Sequence, residues 1–168
     1  MIGITGTTSG IGKALLDMPY NFVIFDRAHG DINDPEVVYN KLKDCKVFIN
    51  NAWHNDCQTK LLSFFFTKWK DESKKIISIG SSVSSYMPTG SNYQDYVDYK
   101  RDLRKAHCDI VNLKTTKCKS YLINPGVTDT KLTANQSRKK MTTSDVVSIV
   151  RFVLEHKLYI PEIYFYVE

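Results

Sequence analysis

In the stretch YVDYK, Tyr96 and Lys100 set a phenol and an ammonium at positions i and i+4. On a helix these positions lie one turn apart and share a face. A phenol of ordinary pKa, about 10, exchanges protons poorly at neutral pH, but a fixed ammonium beside it favours the phenolate and moves the value towards the working range. The chemistry would be proton transfer. A structural reading competes with it, because Tyr96, Tyr99, Leu103 and Ala106 repeat at helical spacing and such apolar stripes usually pack into a core. The pair alone does not decide between the two.

A second cluster lies at the N-terminus. GITGTTSGIGKAL joins a strand-like run to a helical one, with Gly6, Gly10 and Gly12 spaced GxxxGxG. Glycines there allow a tight turn, close backbone approach to a pyrophosphate, and close packing of helix on strand, while the helix start offers free amides to an anion. Thr8, Ser9 and Ile11 complete that turn. Asp26 ends the next strand-like run, FVIFD, twenty residues after Gly6. An acidic side chain there can accept hydrogen bonds from an adenosine ribose, and it would repel a 2′-phosphate. NAD(H) is therefore favoured, with NADP(H) left open because Arg27 follows and a guanidinium can hold that phosphate.

The elements that must position these residues alternate. Ile2 to Thr5, Phe22 to Phe25, Val47 to Asn50, Ile76 to Ile79, Ser120 to Ile123 and Ile163 to Val167 read as strands. Ile11 to Asp17, Pro35 to Lys43, Thr59 to Lys70, Asn92 to His107 and Ser144 to Glu155 read as helices, with Asp34 capping the second and Ser144 or Thr143 the last. Alternation implies parallel pairing through right-handed crossovers. The expected fold is α/β: a Rossmann-type, doubly wound, mostly parallel sheet in a three-layer sandwich, forming a single domain over residues 1–168. In such sheets ligands bind beyond the carboxyl ends of the strands, and the unusual residues collect there.

Composition excludes several classes. With 42% hydrophobic and 24% charged residues the chain is neither disordered nor membrane-like, and its longest apolar run, LLSFFF, falls far short of the roughly 20 residues of a spanning helix. The start, MIGITG, lacks the pattern of a secretory signal, so a cytoplasmic protein is expected. Cys45, Cys57, Cys108 and Cys118 show no metal or redox spacing and read as reduced thiols. The net charge of +5 is dispersed apart from Arg138, Lys139 and Lys140, which points to a solvated face rather than to nucleic-acid binding.

Taken in order, TGTTSGIG, NNAW at Asn50 to Trp53, the serines after IISIG, YVDYK and NPGVTDT resemble the short-chain dehydrogenase/reductase superfamily over nearly the whole chain. The resemblance implies a domain that carries a nicotinamide dinucleotide and moves hydride between it and a small carbonyl or alcohol substrate. Ser81 would polarise the carbonyl, with Ser82 as the alternative; Tyr96 would exchange the proton; Lys100 would lower the phenol's pKa and hold the nicotinamide ribose. Asn51, Ala52 and Trp53 stand where the family usually reads NAG, with Trp53 in place of the glycine. Pro125, Gly126, Val127, Thr128 and Thr130 would meet the carboxamide and phosphates. The resemblance also implies a homodimer through the helix bearing Tyr96 and its predecessor.

Two departures shorten the chain. DRAHGDINDPE runs from the second strand directly to a helix and resembles the abbreviated connection of dTDP-4-dehydrorhamnose reductases, where an Asp-Ile pair, here Asp31 and Ile32, lies near adenine; Asp31 and Asp34 can equally build turns. The sheet is expected to lose an edge strand. After the Pro-Gly turn only the residues from Thr130 to Met141 form a lid, whose Lys131, Arg138, Lys139 and Lys140 raise the option of an acidic substrate. The family's fourth catalytic residue, an asparagine, has no clear counterpart; Asn55 and Gln58 are the nearest. Alternative readings are a non-catalytic dinucleotide sensor or scaffold, and a nucleotide-sugar reductase or epimerase.

Overall fold

The structure is a computed structural model that describes residues 1–86 and 93–168. Short β-branched and aromatic runs form β1 (Ile2–Thr5), β2 (Phe22–Phe25), β3 (Val47–Asn50), β4 (Lys75–Ile79), β5 (Lys119–Pro125) and β6 (Glu162–Phe165). All pair in parallel in the order β2-β1-β3-β4-β5-β6. β2 lies on one side of β1 and β3 on the other, so the winding reverses at β1 and opens a crevice beyond its carboxyl end. The shortened connection leaves β2 as an edge, with no further strand outside it among the described residues.

The helices are α1 (Gly10–Leu15), α2 (Pro35–Leu42), α3 (Cys57–Trp69), α4 (Val83–Tyr86), α5 (Gln94–Val111) and α6 (Thr143–Glu155). Alternating strand side chains build two cores. Phe25, Phe48, Ile76 and Leu122 pack under α2, α3 and α5, where Phe48 stacks on Phe65 at 4.0 Å between ring centroids. Ile4, Ile49, Ile77 and Ile123 pack under α1 and α6. The sheet is thus covered on both faces, which is why its strands read as continuous apolar runs. Among the described residues no helix is long and apolar enough to cross a membrane.

Several boundaries differ from the sequence expectation. β6 stops at Phe165 rather than Val167 because its partner strand ends at Pro125, the last residue in register with it. α3 starts at Cys57 and α5 runs on to Val111, while the expected start of the latter, Asn92, lies outside the described residues. Asp34 caps α2 as expected, accepting from the amides of Glu36 and Val37. α6 is capped by Thr142, not Thr143 or Ser144: its hydroxyl accepts from the Asp145 amide while the Asp145 carboxylate returns a bond to the Thr142 amide. α4 and a 3₁₀ turn at Lys131–Thr133 were not expected from periodicity, being too short to show one.

Candidate active site

The turn between β1 and α1 is shaped by what its glycines avoid. Gly6 has φ 74°, and a Cβ there would meet Ala52 Cα at 2.7 Å; at Gly12 a Cβ would meet the Gly6 carbonyl oxygen at 1.9 Å. Neither position tolerates a side chain. Asn51 braces the turn by donating its amide to the carbonyls of Thr5 and Gly6 (3.1 and 2.9 Å), and Thr5 Oγ1 accepts from the backbone amides of Asn51 and Ala52. The end of β3 and the glycine turn are therefore one unit.

Above this unit lies a cavity of about 620 Å³. Its walls include Gly6, Thr8, Ser9, Gly10, Ile11, Gly12, Asp26, Arg27, Asp31, Ile32, Asn51, Ala52, Trp53 and Thr130, all singled out in the sequence, together with Phe25, Gly30, Asn33 and His54, which were not. Asp26 accepts from the Ala28 amide at 3.0 Å and lies 2.8 Å from His29 Nδ1; these contacts, His29 first, hold its carboxyl below the ordinary range. Asp31 is engaged with the backbone and side-chain amides of Asn33, which likewise lower its pKa. That is the turn-building role allowed for Asp31, and it leaves the residue on the cavity wall.

A second cavity, of about 240 Å³, adjoins the first; Ile11, Asn51, Trp53, Thr130 and Leu132 line both. Here the strand ends bring Ser81, Ser82, Tyr96, Lys100, Pro125, Gly126, Val127 and Thr128 together. The Ser81 amide donates to Asn124 Oδ1 at 3.1 Å, and the same side chain leaves no room for a Cβ at Gly80 (2.2 Å). This fixes the serine loop against β5. The Ser81 side chain acts on the Tyr96 phenol to lower its pKa, and the Ser82 amide donates to the Pro125 carbonyl. Trp53 stands edge-on to Tyr96 at 5.0 Å and 87° and lines both cavities, so its indole forms the wall between them.

Lys100 and Tyr96 share a helix face, with Nζ 5.5 Å from the phenol ring centroid. The ammonium is nevertheless committed elsewhere: it donates to Gln58 Oε1 at 2.6 Å and to the Ile79 carbonyl at 3.0 Å. Gln58 is itself buried, donating Nε2 to the carbonyls of Asn50 and Ile79. Of the two candidates for a fourth residue, Gln58 therefore meets Lys100. Asn55 is an exposed turn residue at φ 49° that lines neither cavity.

The electrostatics overturn one expectation. Burial raises the pKa of Tyr96, and only the Ser81 side chain opposes it. The ammonium does not make the phenol acidic here, because it is itself pushed down to about 7 by burial, with the Cys57 thiol acting weakly in the opposite direction. Desolvation disfavours the charged form of both groups. At neutral pH Tyr96 is a phenol that holds its proton.

A parallel sheet wound in this order, covered by helices on both faces and with a glycine turn after its first strand, is a Rossmann-type fold. Solved short-chain dehydrogenases/reductases share it. A short-chain dehydrogenase from Burkholderia cenocepacia J2315, in complex with NADP, superposes with TM-score 0.78 at 18% identity over 97% of this chain and 86% of its own. A short-chain dehydrogenase/reductase from Vibrio parahaemolyticus gives 0.81 at 14% identity, with both chains covered completely. The 3-ketoacyl-(acyl-carrier-protein) reductase from Brucella melitensis, complexed with NADH, gives 0.75 at 15% over 98% and 96%. The likeness at these identities is one of fold. No family model and no curated protein matches the sequence.

Proposed function

We propose that the chain is an NAD(P)-dependent oxidoreductase that works in the direction of carbonyl reduction on a small molecule. The observation that carries this reading is the convergence of the Ser81 hydroxyl, the protonated Tyr96 phenol and Lys100 on one cavity that opens into the cavity above the glycine turn. That turn fits a dinucleotide: Gly6, Gly10 and Gly12 put backbone on the cavity wall where a pyrophosphate would lie, and Asp26, kept ionised, suits the ribose hydroxyls. NAD(H) is the favoured cofactor because that carboxylate repels a 2′-phosphate, with Arg27 as the residue that would admit NADP(H).

A bound reduced nicotinamide supplies hydride equivalents to the carbonyl carbon. In this reading Ser81 donates a hydrogen bond to the carbonyl oxygen, and Tyr96 gives that oxygen its proton as the alcohol forms. A raised pKa suits a donor: the phenol is fully protonated at neutral pH and transfers its proton only once negative charge develops on the oxygen. Lys100, titrating near neutrality, holds the proton that restores the phenol, and when turned from Gln58 it is the cation for the nicotinamide ribose.

The test is a titration with NADH and NADPH, followed by turnover of a carbonyl panel by the wild type and Tyr96→Phe. The substitution should lower kcat by roughly 10³-fold or more, in line with loss of a positioned acid, without weakening cofactor binding. A scaffold that merely holds dinucleotide would show no turnover for the substitution to remove, and an unchanged rate in Tyr96→Phe would end the phenol mechanism.

A further inference from the structure

The second cavity carries an electrostatic signature that the proton-transfer residues do not explain. Among the described residues its only ionic lining residues are Lys100 and Arg138, both cationic, and no carboxylate lines it. Lys100 is buried and occupied by Gln58 and the Ile79 carbonyl. Arg138 has neither an ion pair nor a hydrogen bond among the described residues.

The other cations of the lid are accounted for. Lys139 donates to the Glu168 carbonyl oxygen; Lys140 lies 3.7 Å from Asp129 and donates to the Ala134 carbonyl; Lys131 faces the larger cavity instead. The lid is also held down. The Met141 amide donates to the Val127 carbonyl and the Asp129 amide to the Met141 carbonyl, both at 2.8 Å, while Thr133 Oγ1 donates to the Thr128 carbonyl. A loop closed this tightly has few ways to carry Arg138 away from the cavity. Beside it stands Gln136, whose side-chain amide makes no hydrogen bond among the described residues and can donate to the same acceptor.

We infer that Arg138, with Gln136, forms a carboxylate-binding subsite, so that the ligand of this cavity is a carbonyl compound whose apolar body carries a carboxylate. The body would lie against the rings of Trp53 and Tyr96 and the side chain of Leu132. A guanidinium suits a planar carboxylate by its paired donors, and a cavity with cationic lining and apolar walls strengthens the attraction relative to water. The substrate class rests on the reductase reading above; the anion subsite does not.

The experiment separates the two. Binding of benzoate and of neutral, size-matched benzamide is measured by calorimetry on the full chain, for the wild type, Arg138→Gln and Arg138→Lys. The wild type should prefer benzoate by on the order of 10-fold, the scale of one charge-assisted hydrogen bond. Arg138→Gln should remove the preference and Arg138→Lys should keep part of it. Equal binding of the two probes, no saturable benzoate binding, or a preference that survives Arg138→Gln would overturn the subsite. Reduction of para-formylbenzoate and of benzaldehyde is then compared with NADH and NADPH. Turnover of both aldehydes with equal kcat/KM and no benzoate preference leaves the reductase standing and the subsite refuted. A benzoate preference without reduction of either aldehyde leaves the subsite standing and counts against the reductase.

Discussion

Gln58 shows how a single side chain sets the state of another that the sequence had already pointed to. Its Oε1 is the only side-chain acceptor on the buried Lys100 ammonium among the described residues, at 2.6 Å. Removing that acceptor in Gln58→Leu destabilises the charged lysine further, so its pKa should fall below the present value of about 7; Gln58→Glu supplies a carboxylate and should raise it. If Lys100 must be protonated to restore Tyr96, kcat for reduction declines as pH rises through the lysine pKa. The decline should therefore move to lower pH in Gln58→Leu and to higher pH in Gln58→Glu, by about a unit or more for a change in one buried partner. Coincident profiles for the three proteins would remove Gln58 from the mechanism. The spacing of Tyr96 and Lys100 was readable from YVDYK alone, whereas the partner of Lys100 lies forty-two residues away and only the packing of α3 on α5 brings it in.

At the scale of the element, α5 carries a second buried titratable group, His107, whose Nδ1 lies 2.8 Å from Ser120 Oγ on β5. Burial lowers its pKa to about 4 from 6.5. Between these values the unfolded chain binds a proton that the folded chain refuses, so stability is full above pH 6.5 and is lost as pH falls towards 4. The loss should be on the order of 3 kcal/mol from this group. Urea denaturation at a series of pH values should show that acid-side slope in the wild type and a flatter curve in His107→Leu. An identical slope in both would assign the acid sensitivity elsewhere. The stripe on this helix that competed with catalysis is real in part: Leu103 is wholly buried and Ala106 packs on the same core, while Tyr96, one end of the stripe, lines the cavity. One helix face serves both purposes because the core ends where the sheet does.

For the whole molecule, the homodimer implied by resemblance would need the outer surfaces of α3 and α5. None of the large hydrophobic side chains exposed among the described residues lies on either helix. The exposed positions of α5 are instead Asp95, Asp98, Asp102, Lys105 and Asp109. A two-fold axis that pairs α5 with itself would set this mostly acidic row against its own copy. Sedimentation velocity at micromolar concentration should accordingly give a monomer at low ionic strength; a stable dimer there would show that another surface pairs. The alternation of strands and helices, the glycine turn and the order of motifs were legible in the sequence because each depends on local periodicity or on residues adjacent in the chain. The positions of Gln58 on Lys100 and Arg138 over the cavity were not, since each depends on which distant segments touch. The clearest case is Tyr96: its neighbour Lys100 was visible in one dimension and suggested an acidic phenol, but the desolvation that raises its pKa belongs to the folded chain.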